Sequence, residues 1–353
     1  MKEEVKHLWR TCFEDSEEFI DLYFKEIYTD SITQVAREDE KIVAALQMIP
    51  YHMNFHAMTI PVSYISGACT LPEYRNKGIM ERLLTQSFQE MYEKEIGLSI
   101  LIPGEKRLFD YYNKLGYETT FYYSKQQVKA DSTHISVNPS YTVSKLTDDE
   151  WEKAFGYFSD KEFANYPLNV LHDKEHFNTV IKDVLLSQGE VFLAYSKDRI
   201  KGIAFCVPVD NETCMKEMYT DNEEIESALI HAAMNHFNTD TITIVTRATQ
   251  KPTYPLGMAR VINAKMLLDD FMLRHPRLKV NFELIDPLIP ANNGYYYLAN
   301  NECEKKDTPP DAPFITLTAS QLIKFLMKGY SSDMPDRFRW FEKQNSYMSL
   351  MLD

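Results

Sequence analysis

The sequence predicts an α/β (α+β) chain of three consecutive units, and three observations point there. Tyr64 to Met80 reads as a buried strand, a basic loop with one glycine and the start of a helix, with a further strand at Leu98–Ile102. An outline of helices, strands, helix and strand returns between Thr147 and Val245. With 353 residues and 44% hydrophobic content, the chain is long enough for two or three cores.

Residues 1–30 are expected to be helical, with Asp15-Ser16 capping a helix whose Phe19, Ile20, Tyr23 and Phe24 share one stripe. Strands follow around 32–36, 42–49 and 51–58, the first two joined by a turn at Asp39–Lys41. The strand Tyr64–Leu71 ends at Pro72, and Met80, Leu83, Leu84, Phe88 and Met91 give the next helix its apolar face. Leu98–Ile102 should lie parallel to Tyr64–Leu71, because a helical crossover joins them. Pro103-Gly104 then breaks the chain before a helix around Leu108–Leu115 and a strand at Thr120–Val128. Polar Lys129–Pro139 reads as a linker.

The second unit opens at Tyr141, with a capping box at Thr147–Glu150 before the helix carrying Trp151, Ala154 and Phe155. A second helix is expected from Leu168 to Leu186, strands at 191–196, 200–207 and 214–220, a helix over 222–237 and a strand at 241–245. Pro252 and Pro255 mark the next boundary. The third unit is expected to open at Gly257–Asn263, with a helix to Phe271, strands near 278–284, 294–299 and 314–316, and a helix over 319–328 capped by Thr318. The three units span 1–130, 140–250 and 256–353.

The loop between Arg75 and Gly78 is suited to an anion. First-turn N–H groups of a helix have no intrahelical acceptor, and the aligned peptide dipoles add partial positive charge. Arg75 and Lys77 bring full charges. The pattern is neither the three-glycine dinucleotide fingerprint nor a P-loop. The helix after Asp221 starts acidic, with Glu223 and Glu224, and cannot favour pyrophosphate.

Composition narrows the function classes. The net charge of −14 disfavours nucleic acid and anionic membrane surfaces, and fits a cationic partner such as an amine. No stretch approaches the ~20 apolar residues of a membrane helix. Met1-Lys-Glu-Glu lacks the apolar core of a signal peptide, and five scattered cysteines without C-x-x-C spacing read as reduced thiols of a cytoplasmic protein. His52/His56 and His172/His176 have zinc-compatible spacing but no evident third ligand, and no G-x-S-x-G elbow is present.

Arg75-x-x-Gly78-Ile79 followed by Tyr111-Tyr112-x-x-Leu115-Gly116-Tyr117 resembles the acyl-CoA-binding core of GNAT N-acetyltransferases. Met80 departs from the Gly or Ala that most members carry there. The second unit resembles a degenerate GNAT copy, and the third, from Gly257–Ile262 to Leu322–Tyr330, a sterol carrier protein-like α+β domain whose cavity could hold lipid or whose fold only buttresses the rest. Together the three resemble the enhanced intracellular survival (Eis-type) N-acetyltransferases.

That resemblance implies acetyl-CoA as co-substrate, no metal, and a primary amine of an aminoglycoside-like molecule or a lysine side chain as acceptor. It leaves a homo-oligomer open. Backbone at Ala68, Cys69 and Thr70 would hold the pantetheine and acetyl carbonyl, and Arg75, Asn76, Lys77, Gly78, Ile79, Met80 and Glu81 the pyrophosphate. Asn76 replaces a frequently basic residue. Tyr112 would be the general acid, and the terminal carboxylate on Asp353 the general base; the apolar run Tyr347–Leu352 before it suggests a buried tail. Two alternatives are a non-enzymatic lipid or acyl-CoA binding module and an aminoacyl-tRNA-dependent peptidyltransferase. The acidity and the intact loop weigh against the latter.

Overall fold

The computed structural model describes residues 1–56, 58–130, 140–165, 167–209, 212–247, 252–311, 313–330 and 344–352. Helix α1 (Lys2–Cys12) packs on β2 (Lys41–Phe55) and β3 (Met58–Thr70), helix α2 (Glu17–Glu26) packs on α1, and β1 (Thr33–Glu38) forms a hairpin with β2. Ser16 caps α2 by accepting from Phe19 N–H, and Ile20, Tyr23 and Phe24 are its buried face. Two expected strands fuse into β2, which runs through Pro50. Pairing with β1 stops at Gln47 and pairing with a later strand begins at His52, so on that flank Pro50 lies where no ladder bond needs its missing N–H.

Helix α3 (Ile79–Glu93) crosses over to β4 (Leu98–Leu101), which is parallel to β3, as the sequence led us to expect. The pairing covers only Val62–Tyr64 opposite Leu98–Ile100. Beyond it β3 continues along β2 alone, with a bulge: Ser66 faces Gln47 and Cys69 faces Ala45, so Gly67 and Ala68 stand opposite Leu46. Gly67 takes φ +58°, and a Cβ there would lie 2.2 Å from Gln47 Oε1 and 2.4 Å from Trp9 Cζ3. Helix α4 (Lys106–Lys114) and strand β5 (Glu118–Lys129) follow. Of the expected linker, 131–139 lie outside the described residues.

The second unit comprises β6 (Tyr141–Lys145), α5 (Trp151–Asn165), β7 (Leu168–Leu171), α6 (Lys174–Leu186), β8 (Glu190–Ser196), β9 (Arg199–Val209), β10 (Glu212–Thr220), α7 (Glu223–Phe237) and β11 (Thr241–Arg247). Its parallel β10–β11 pair, joined by α7, repeats the β3–α3–β4 arrangement. The helix expected over 168–186 is shorter. Leu168–Leu171, buried on both faces, is strand β7 on β2, and Asp173 caps α6 by accepting from His176 N–H.

The stretch expected to open the third unit lies elsewhere. It is β12 (Tyr254–Val261), antiparallel to both β4 and β5 and inserted between them. The large sheet therefore runs β1-β2-β3-β4-β12-β5-β11-β10-β9-β8-β6, with β7 on β2. The remaining elements are α8 (Ala264–Arg274), β13 (Val280–Ile285), β14 (Gly294–Ala299), β15 (Glu302–Lys306), β16 (Ile315–Thr318) and α9 (Ala319–Lys328). The strands among them form a second sheet in the order β15-β14-β13-β16. These elements share one continuous core with the first unit, whereas the second unit has its own cluster on each face of its sheet. An enclosed pair fastens the join: Arg260 on β12 donates to Asp286 at 2.7 Å and to the Leu115 carbonyl at 2.8 Å.

The tail is buried, as its apolar sequence suggested. Ser346 bridges to Phe121 and Tyr347 to Asn169, which places the tail beside β5 and β7. Tyr347, Met348 and Leu352 are enclosed.

Candidate active site

Where β3 leaves β4, a cleft of about 550 Å³ opens between the end of β3, the start of α3 and the start of α4. Pro72–Tyr74 form a 3₁₀ turn, Arg75 is extended, and Asn76 and Gly78 both take left-handed backbone (φ +61° and +73°). Asn and Gly are the residues that tolerate this region. Gly78 is the N-cap of α3 and supplies no side-chain cap. In α2, α6, α7, α8 and α9 a Ser, Asp, Asn or Thr side chain takes a first-turn N–H. The first turn of α3 thus keeps N–H groups for an outside acceptor. In α7, its counterpart in the second unit, Asn222 accepts from Ile225 N–H, and the first turn carries Glu223, Glu224 and Glu226. That helix start is closed to an anion on two counts.

The residues expected at the site fall into this one cleft with two exceptions. Ala68, Cys69 and Thr70 line it from β3; Arg75, Asn76 and Gly78 from the loop; Ile79, Met80 and Glu81 from α3; and Tyr112 from α4. Arg75 is anchored by Nε donating to the Thr70 carbonyl at 3.0 Å. Lys77 does not line the cleft; its Nζ sits 4.8 Å from the ring centre of Tyr74, which does. Asp353 lies outside the described residues. Five residues before it, Met348 packs close to Gly257, within reach of the end of β4 at Leu101.

Tyr112 is buried between Tyr111 and Tyr117, edge-on to each at 5.2 and 5.6 Å. Tyr117 is itself held by a 2.7 Å hydrogen bond with Ser99 on β4. The Tyr112 hydroxyl makes no hydrogen bond among the described residues, and burial pushes its pKa far up, so it is a proton donor at neutral pH. Burial pushes Tyr111 up to about 12, with Glu81 adding to the shift.

The sequence did not disclose the other wall. Cys12 and Phe13 reach the cleft from the end of α1, and Glu105, Arg107 and Leu108 from the start of α4, with Arg107 Nε on Glu105 at 2.6 Å. Pro103-Gly104 signalled that helix start and could have found Glu105 and Arg107; nothing local marked Cys12. The Cys12 thiol is lowered to about 7, chiefly by a hydrogen bond from Cys69, with Arg75 assisting.

Both histidine pairs have other work. His172 is buried with Nδ1 2.7 Å from Glu162, and His176 stacks on Tyr51 at 3.9 Å. His56 Nε2 meets the Leu326 carbonyl at 2.9 Å, while His52 is exposed.

A bulged strand, a glycine-opened helix and a parallel neighbour splayed from that strand are what a GNAT sheet supplies. Residues 2–120 match the family model for the acetyltransferase (GNAT) domain, so the chain carries a GNAT acetyltransferase domain. The likeness in fold extends much further. A conserved Enterococcus faecalis protein described as a probable N-acyltransferase superposes with TM-score 0.77 at 17% identity, over 94% of this chain and 88% of that one. A GCN5-related N-acetyltransferase from Anabaena variabilis gives 0.75 at 18%, over 93% and 88%. Eis1 from Mycobacterium abscessus gives 0.73 at 12%, over 99% and 95%. No curated protein sequence matches the chain.

Proposed function

We propose that the chain is an acetyl-CoA-dependent N-acetyltransferase that passes an acetyl group to a primary amine by direct attack within a ternary complex. The observation that carries this is the single cleft where the uncapped start of α3, the end of β3 left without a partner on its β4 side, and Tyr112 meet. The α3 amides with Arg75 would hold the pyrophosphate. The backbone of Ala68–Thr70, freed from β4, would pair with the pantetheine arm and polarise the thioester carbonyl. Tyr112 would protonate the departing thiolate. An alkyl amine (pKa roughly 10.4) is protonated at neutral pH, so a base is needed; the terminal carboxylate of Asp353 is our candidate. The acidic surface fits a cationic acceptor, either a small polyamine-like molecule such as an aminoglycoside or a lysine side chain. An Eis-type architecture with a sterol carrier protein-like third unit, in a cytoplasmic protein, belongs to this reading; the likeness to Eis1 along nearly the whole chain supports its fold.

Calorimetry with acetyl-CoA tests the reading. Wild type is expected to bind, and Gly78→Glu to lose binding because its carboxylate enters the anion site. Gly78→Ala, whose Cβ would have its nearest neighbour at 3.7 Å, carries only the backbone strain of left-handed φ and should bind more weakly than wild type yet measurably. Tyr112→Phe should lower kcat and leave acetyl-CoA affinity nearly intact. Absence of binding to wild type would overturn the proposal.

A further inference from the structure

Asp270 on α8 is 5% exposed, and neither of its carboxylate oxygens has a hydrogen-bond partner among the described residues. It lines a cavity of about 960 Å³ between the start of β3, α8 and β15. Ile60, Met266 and Cys303 give this cavity apolar walls, and Met58 and Leu273, each 54% exposed, belong to its lining. The two lysines on the cavity are engaged elsewhere. Lys265 pairs with Asp269 at 2.6 Å, and Lys305 donates to the Ala291 carbonyl. A carboxyl enclosed without donor or counter-charge is costly to keep ionised, and burial alone raises Asp270 to about 7. Such a group is expected where its partner arrives from outside.

The partner's chemistry follows from what surrounds the carboxyl. Among the described residues, no three His, Cys, Asp or Glu side chains are placed to hold a metal ion. Asp270 is the enclosed carboxylate; Asp269, Glu302 and Glu304 line the same cavity as exposed side chains, and among the described residues no three of these groups converge to supply the ~6–8 oxygens that calcium takes. Two unfilled acceptor oxygens call for N–H donors, which a quaternary ammonium does not have. The apolar walls call for a hydrocarbon body.

We propose that this cavity binds a protonated primary or secondary amine with an apolar body, its N–H groups donating to Asp270 and its body lying on Ile60, Met266 and Leu273. The cavity has no lining residue in common with the cleft at α3, so it is a second amine site rather than the acceptor position of that cleft. Binding here is independent of whether the α3 cleft takes acetyl-CoA.

The test is calorimetry of the full chain with n-octylammonium chloride, below its micellar concentration, beside n-octanol and octyltrimethylammonium. Octylammonium is expected to bind at one site. Asp270→Asn is expected to weaken it roughly tenfold or more, the loss of one charge-assisted contact. Octanol and the quaternary salt should bind wild type more weakly by a similar factor. The proposal is overturned if wild type does not bind octylammonium at millimolar concentration, if octanol binds as well, or if Asp270→Asn binds undiminished. Should Asp270→Asn not fold, Met266→Trp, which fills the cavity and leaves Asp270 in place, must abolish binding; retained binding there overturns it equally.

Discussion

Asp286→Ala should be among the most damaging single changes in the chain. Asp286 is 1% exposed and accepts from four donors: Arg260 Nη2 at 2.7 Å, Asn292 Nδ2 at 3.0 Å, and the N–H groups of Leu288 and Ile289 at 3.2 Å each. Arg260 is fully buried, with its guanidinium carbon 4.4 Å from the centre of the Phe88 ring. Alanine strands a cation that cannot reach water and leaves the other three donors unfilled. Removing one partner of a buried pair costs about 3–5 kcal/mol, and the orphaned donors push the value toward the top of that range. Equilibrium urea unfolding followed by circular dichroism measures it on the first transition, since a chain with several cores need not unfold in one step. Arg260→Met combined with Asp286→Leu should recover only the share due to the stranded cation, because the Leu288, Ile289 and Asn292 donors stay unfilled. A loss under about 1 kcal/mol for Asp286→Ala would refute the assignment of this pair as the fastening between β12 and the four-stranded sheet.

Three further outcomes are expected. Gly67→Ala adds left-handed strain (roughly 1–2 kcal/mol) and drives a Cβ into Gln47 and Trp9 (roughly 1–3 kcal/mol), so thermal unfolding should show about 2–5 kcal/mol of destabilisation. Burial raises Glu217 to about 7 from an ordinary 4.5, so the folded state holds its proton more tightly than the unfolded chain and this group's contribution falls as pH rises from about 4.5 to 7. Glu217→Gln should therefore be near neutral at pH 5 and more stable than wild type by about 2–3 kcal/mol at pH 8, read from melts at both pH values; a pH-independent difference would disprove it. Finally, iodoacetamide should alkylate Cys12 with a midpoint near pH 7, and acetyl-CoA should protect it. Unchanged labelling in the presence of saturating acetyl-CoA would place the ligand elsewhere.

How much was legible in the sequence depended on whether the signal was local. The turn at Asp39–Lys41, the caps at Ser16 and Thr318, and the strand–loop–helix–strand at 64–102 are written in neighbouring residues, and they hold. The helix drawn through Leu168–Leu171 failed because a short run enclosed on both faces of a strand looks like a helix turn until β2 claims it. Strand β15 escaped notice because Cys303 is its one buried residue and the rest is charged, as suits an edge. Fusion of two strands across Pro50 required knowing where pairing lapses on one flank. For the cleft, residues within one motif were found, whereas Cys12 and Phe13 come from a helix with no chemical mark of its own. Position 257 misled most. Its sequence fits a unit opening, and only the empty lane between β4 and β5 explains where it goes.

That lane has a consequence for how the molecule is made. During synthesis, β4 and β5 emerge early, yet the strand that separates them arrives only after the whole of β6 to β11 has been threaded out. Until Val261 is available, β4, buried along its full length in the finished protein, has no partner on one side. The second unit is continuous in sequence and can close around its own clusters, so it has the means to finish before the unit that precedes it. A fragment cut near residue 130 would keep every motif residue of the cleft and still expose one edge of β4 and both edges of β5. It should aggregate, and an inactive fragment of that kind would say nothing about the cleft. The piece that behaves as the first unit in space is not a piece that can be cut from the chain.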